Sequence, residues 1–328
     1  MTGTNGKTSL VRFLSKLFNE TNRPAVATGN IGYPFSDLVA EKRGREITAI
    51  LELSSFQTEN LRLLQPDSVI WTNIEEDHLD RHGDMASYIR AKAQLVERLK
   101  SGPFLAGVSV LEAVRQTGVT LSCQPKTIFR EDANRISVPE LSPFATFPQR
   151  ENLALALAFA NSQGISDETV IKVLENFVGE PHRLEKVTTV GKATFWNDSK
   201  ATNFSAALAA CRNFAGKVFW IGGGQSKGAD EEAFAYSLHK LVARAYLIGD
   251  TGPSLAKRLS SLGLPSKVFG ELAQAVKVSF EDVREATDIL FSPGFASFDA
   301  YSDYSERGKT FGRYVFQLND HPHRRTSL

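Results

Sequence analysis

Gly3-Thr4-Asn5-Gly6-Lys7-Thr8 opens the chain, and together with the apolar pattern behind it decides the fold. Leu10, Phe13, Leu14 and Leu17 stand at i, i+3, i+4 and i+7, the spacing of one helix face. A glycine-rich loop running into a helix lets backbone N–H groups close round phosphate oxygens, and the helix N-terminus adds a favourable dipole. Lys7 then brings a point charge to the β/γ phosphates of a nucleotide, and Thr8 a hydroxyl to magnesium. A turn that merely caps a helix is the bland alternative, and Gly6-Lys7-Thr8 at a helix start argues against it. The strand that feeds such a loop is expected to be missing, because the chain begins at Met1.

Outward from the loop, short apolar runs alternate with helical periodicity. Residues 47–53 and 68–72 read as buried strands, as do 195–196, 218–222, 245–249 and 288–292. Asp84 can cap a helix bearing Tyr88, Ala91, Leu95 and Leu99, residues 152–159 read as helix, and Val170, Val173, Leu174 and Phe177 mark another. This alternation predicts an α/β fold with parallel sheets covered by helices on both faces. Gly179 and Pro181 interrupt the pattern. The expected division is a P-loop parallel-sheet nucleotide-binding domain over residues 1–181 and a smaller Rossmann-like α/β domain over 182–328.

Several further groups lie after strands, where α/β sheets bind ligands. Glu52 ends an apolar run and could serve magnesium as a hard oxygen ligand, or could be a solvated strand-end acid. Residues 73–82 pack four acids and two histidines together, and His78 could ligate a metal or contact a transferring phosphate. Arg183, near the junction, suits a phosphate or an ion pair equally well. In 197–203, Asp198 could meet a ribose or base, and Lys200 and Thr202 could hold an anion, unless the loop is only an N-cap. Lys227 is the cation of a second glycine-rich loop, and Ser297 lies in a third loop.

The chain of 328 residues carries a net charge of +1 with its basic residues scattered, which gives no nucleic-acid footprint. Cys123 and Cys211 are far apart and in no metal spacing, which suits a reducing compartment. No apolar stretch approaches a membrane span and no signal core opens the chain, so a cytoplasmic location with no membrane partner is expected.

These blocks, in this order, resemble the Mur ligase family from Thr2 to Lys309. The resemblance implies an ATP-dependent, amide-forming ligase that uses ATP with two magnesium ions. It assigns ATP to Gly3, Thr4, Asn5, Gly6, Lys7, Thr8, Asn152, Arg183 and Asp198, with Lys200 also at the nucleotide. It gives metal-site roles to Thr8, Glu52, His78 and Lys92, the last as a carbamylated lysine, and catalytic roles to Lys7, His78, Lys92 and Lys200. The C-terminal motifs resemble the D-glutamate-adding branch, which implies UDP-N-acetylmuramoyl-L-alanine and D-glutamate as substrates and a monomeric enzyme. Thr202, Lys227, Ser297, Phe298 and Tyr304 would then surround D-glutamate, and Asn30 would lie near the muramoyl group. Pro148-Gln149 and Tyr304 depart from the family's usual residues, and its N-terminal UDP-binding domain is expected to be absent from this chain. A folylpolyglutamate synthetase-like ligase and a non-catalytic nucleotide-binding remnant are the other readings.

Overall fold

The computed structural model describes residues 1–41, 47–139, 142–145 and 149–320; Pro148 and the last eight residues of the expected second domain lie outside them. The chain divides into two compact units, Met1–Gly179 and Glu180 onward.

The first unit holds strands β1 (Ala25–Gly29), β2 (Thr48–Glu52), β3 (Val69–Trp71), β4 (Phe104–Gly107) and β5 (Lys126–Ile128). Its helices are α1 (Lys7–Glu20), α2 (Phe35–Ala40), α3 (Ser55–Thr58), α4 (Leu79–His82), α5 (Met85–Glu97), α6 (Val108–Thr117), α7 (Gln149–Ser162) and α8 (Asp167–Glu175). β1 pairs with β2, and β3, β4 and β5 pair in that order, all parallel.

The two sheets meet through the first residues of the chain. Met1 O accepts from Leu53 N at 2.9 Å, while Thr2 N donates to Ile70 O and Thr2 O accepts from Thr72 N, both at 3.0 Å. The expected missing strand is thus represented by a two-residue stub, with Thr2 bridged in parallel to Trp71. Side chains alternate across this layer, as a pleated strand requires. Ile70 and Leu105 join Leu10, Leu14, Leu17, Leu153 and Leu157 on one face; Val69, Trp71, Phe104 and Ala106 join Tyr88, Ile89 and Leu95 on the other. Helix α8 stops at Glu175, short of the expected Phe177, whose ring packs edge-on against Phe13 at 5.2 Å.

The second unit holds β6 (Glu185–Val190), β7 (Ala193–Asn197), β8 (Val218–Gly223), β9 (Val242–Ile248), β10 (Ser266–Val268) and β11 (Thr287–Phe291). Helices α9 (Phe204–Cys211), α10 (Glu231–Leu238), α11 (Gly252–Ser261), α12 (Leu272–Glu281) and α13 (Tyr304–Asp320) accompany them. The strand order is β10-β9-β8-β11-β7-β6. One pair at the edge of this parallel sheet departs from it: β6 runs antiparallel to β7. Only Gly191 and Lys192 separate these strands, and two residues can join antiparallel neighbours but cannot make a parallel crossover. Gly191, at φ 58°, supplies the left-handed conformation such a turn needs.

Candidate active site

In the first unit the phosphate loop is held from behind by the segment after β3. Asn5 N donates to Asn73 Oδ1 at 2.8 Å, Thr4 N to Asn73 O at 3.1 Å, and Asn5 Nδ2 to Glu75 Oε2 at 2.9 Å. Thr4 Oγ1 accepts from Glu75 N at 3.1 Å and lies 3.2 Å from the Tyr88 hydroxyl. The two loop glycines cannot be replaced without collision. A Cβ on Gly6 (φ 78°) would fall 1.9 Å from Asn152 Nδ2, and one on Gly3 2.0 Å from Thr72 Oγ1. Asn152 is therefore packed against the loop, and its buried Oδ1 has no partner among the described residues. Lys7 Nζ curls onto its own loop, donating to Gly3 O at 2.8 Å and Thr4 O at 2.9 Å. Thr8 is buried at the second position of α1.

Glu52 ends β2 and is 2% exposed. Its Oε1 accepts from Asn30 Nδ2 at 3.1 Å, while Oε2 has no hydrogen-bond partner among the described residues. A buried carboxylate oxygen without a donor is costly unless a cation or donor meets it, so this oxygen fits a metal ion. Among the described residues no three His, Cys, Asp or Glu side chains converge as a metal cage. The acids and histidines of 73–82 do not gather as their density in sequence suggested. Glu75 bonds Asn5, Asp77 Oδ2 stands 3.6 Å from His78 Nε2, and His82 turns to Ser55 at 2.9 Å. His78 sits at φ 55°, a left-handed conformation unusual for a side-chain-bearing residue, and its ring packs edge-on against Phe56 at 4.9 Å.

Lys92 is 1% exposed, donates to Gly3 O at 3.0 Å and lies 4.5 Å over the Tyr88 ring. Burial first, and then the nearby Lys7 charge, hold its pKa well below the ordinary lysine value. A neutral amine is a nucleophile, so the site favours chemistry that a solvated lysine would not show.

The second unit places its sequence-expected residues around the C-terminal ends of β7, β8 and β11. Asp198 is engaged internally: it accepts from Ser292 Oγ at 2.7 Å and Leu184 N at 3.1 Å, and burial pushes its pKa up to about 7. Arg183 pairs with Glu180 at 3.5 Å. Lys200 lies 3.7 Å over the Tyr304 ring, Ser297 is buried, and Phe298 is 67% exposed. Thr202 and Lys227 are half-buried, and Asn203, not either of these, caps α9 by accepting from Ala206 N at 2.9 Å.

Arg307 organises these loops, and sequence reasoning passed over it. It is 1% exposed and donates to Phe295 O at 3.1 Å, Ala296 O at 3.2 Å, Ser199 O at 2.9 Å and Ser199 Oγ at 3.1 Å. Burial lowers its pKa to about 10, so it stays charged at neutral pH. Its signal was the Glu306-Arg307-Gly308 triplet, whose use only the fold reveals. Asn73, Glu75 and Tyr88 likewise stood in the sequence motifs with no role of their own.

Comparison with known proteins gives these features a family. The model of the Mur ligase middle domain matches residues 1–117, and that of the Mur ligase glutamate ligase domain matches 182–295. A UDP-N-acetylmuramoylalanine--D-glutamate ligase of Thermosynechococcus vestitus is 33% identical over 97% of this chain and 75% of its own length. The chain belongs to the Mur ligase family. Mur ligases are ATP-dependent enzymes that form amide bonds, and this chain is one of them. A second relative of the same name, from Synechocystis, is 32% identical over 95% of this chain and 74% of its own length. Among solved structures, a MurF of Acinetobacter baumannii superposes with a TM-score of 0.70 at 18% identity, covering 98% of this chain and 76% of its own. A folylpolyglutamate synthase of Mycobacterium tuberculosis complexed with ADP and AMPPCP superposes at 0.65 and 16%, covering 95% and 90%. At those identities the likeness concerns the Mur ligase fold alone. No helix among the described residues is long and apolar enough to cross a membrane.

Proposed function

We propose that this chain joins D-glutamate to UDP-N-acetylmuramoyl-L-alanine in the cytoplasm, with ATP converted to ADP and phosphate. The observation that carries the choice of substrates is the 33% identity to a D-glutamate ligase along nearly the whole chain. The geometry supports the chemistry. Phosphates would rest in the loop of Gly3 to Thr8, with Asn152 behind it and the Lys7 ammonium released from its loop carbonyls onto the β/γ oxygens. Thr8, Glu52, His78 and Lys92 would hold two magnesium ions, which supply charge neutralisation at the phosphates. An oxygen of the muramoyl-alanine carboxylate attacks the γ-phosphorus, the bond to ADP breaks, and an acyl phosphate forms. The D-glutamate amine then attacks the acyl carbon, phosphate leaves, and the nitrogen gives up a proton. Positioning and fixed charge do most of this work.

Arg183, Asp198 and Lys200 would serve the nucleotide. Thr202, Lys227, Ser297, Phe298 and Tyr304 would receive D-glutamate, and Asn30 would touch the muramoyl end. Lys92 would be carbamylated: its neutral amine adds to carbon dioxide and loses a proton, turning the amine into a metal-binding anion. The mass gain of one carbon dioxide on the peptide containing Lys92 is the observation that checks it. The reaction is tested by phosphate release from ATP that requires both UDP-N-acetylmuramoyl-L-alanine and D-glutamate. Release that instead requires a folate and glutamate would replace this reading with the synthetase-like one.

A further inference from the structure

His82 belongs to the acid- and histidine-rich segment after β3. Its side chain is 4% exposed and clipped to both ends of α3. Nε2 lies 2.9 Å from Ser55 Oγ, and Nδ1 faces Glu59 Oε2 at 3.7 Å. Glu59 is itself fixed by Arg81 at 2.5 Å. A carboxylate facing Nδ1 favours the proton there, so that Nε2 accepts from the Ser55 hydroxyl. The trio has the residue types of a hydrolytic triad. With Ser55 2% exposed, though, no substrate can reach the hydroxyl, and the contact is structural.

What the imidazole does is hold two rings. On one side it stacks on Phe56 at 5.6 Å with an interplanar angle of 15°, and Phe56 packs edge-on against His78 at 4.9 Å. On the other it meets Tyr88 at 5.3 Å. Tyr88 carries the Lys92 Nζ over its face at 4.5 Å and reaches Thr4 of the phosphate loop with its hydroxyl at 3.2 Å. One buried ring therefore stands between His78 and Lys92, with a single aromatic ring intervening on each side. Burial holds the His82 pKa below its ordinary value, so the ring packs as neutral imidazole.

We infer that His82 is a positioning residue for the magnesium–nucleotide site, fixing His78 through Phe56 and Lys92 and the phosphate loop through Tyr88. The inference rests on the functional reading above. Groups that orient metal-binding side chains typically change metal affinity by roughly 10–100-fold when removed.

The test is calorimetric binding of a non-hydrolysable ATP analogue to the whole chain across a magnesium titration, with no acceptor substrate present. Wild-type protein should bind the analogue in a magnesium-dependent manner; if it does not, the functional reading fails and takes this inference with it. Given that binding, His82→Ala should raise the half-saturating magnesium concentration by roughly tenfold or more. His82→Phe keeps a ring in the stack but loses the Ser55 contact, and Ser55→Ala loses that contact but keeps the imidazole; each should shift magnesium less, in the same direction. Val110→Ala, a cavity in the same core on α6, should lower the unfolding midpoint and leave the magnesium dependence alone. A wild-type magnesium requirement in His82→Ala, or an equal shift in Val110→Ala, would overturn the inference. Should His82→Ala not fold, wild-type magnesium dependence in both His82→Phe and Ser55→Ala overturns it instead.

Discussion

At the scale of single residues, backbone carbonyls and N–H groups hold the charged side chains in place. Lys7 is poised on two carbonyls of its own loop and buries little that the fold needs. Lys7→Ala should therefore reduce D-glutamate-dependent phosphate release by roughly a hundredfold or more while leaving the thermal midpoint in place, since a fixed charge on the reacting phosphates is lost. Near-normal turnover would remove the phosphate-loop assignment. Asp198 gives a pH signature. Its folded pKa, about 7, lies above its unfolded value, so the folded state binds the extra proton between the two. Its contribution to stability is fully present below the unfolded pKa, falls as pH rises towards 7, and levels off above that. Asp198→Asn lacks this dependence, so the variant should compare better with wild type at pH 8 than at pH 5 in urea unfolding; the reverse trend would contradict the buried, proton-holding environment. Much of this scale was legible. Glycines, a lysine and a threonine at a helix start announce phosphate, because only such residues let backbone approach an anion. The roles of Asn73, Tyr88 and Arg307 were not legible, because each acts on segments far away in sequence.

Among elements, legibility tracked length and composition. Strands β8 and β9 carry long apolar runs and were found, whereas Ala25–Gly29, Phe104–Gly107, Lys126–Ile128 and Ser266–Val268 are short or rich in small and polar residues. The antiparallel β6 was signalled by its two-residue link to β7, a cue in plain sight that the alternating pattern outweighed. The loop of 197–203 shows how an anion reading and a capping reading coexist. Asn203 satisfies the first turn of α9, while Lys200 lies over Tyr304. Asn203→Ala should cost about 1 kcal/mol of stability in denaturant unfolding, the usual worth of a cap. A loss of D-glutamate affinity at unchanged stability would mean that Asn203 serves ligand rather than helix.

For the whole molecule, the α/β class emerged from alternating strands and helices, whereas the order of strands within each sheet did not. That order carries a consequence for how the chain is made. β11 lies in the interior of its sheet, with Leu290 paired to Trp196 of β7 on one side and to Trp220 of β8 on the other. The ribosome delivers it last of the six strands, so β7 and β8 emerge early but have nothing to bind between them until Thr287–Phe291 arrives. During that interval the apolar edges of both are open to chaperones or to other nascent chains. Chains stalled before Thr287 should accordingly be cut readily by protease throughout the second unit, and release of the full chain should close that window in one cooperative step. Protection of β7 and β8 in such stalled chains would show that the sheet can assemble without its keystone.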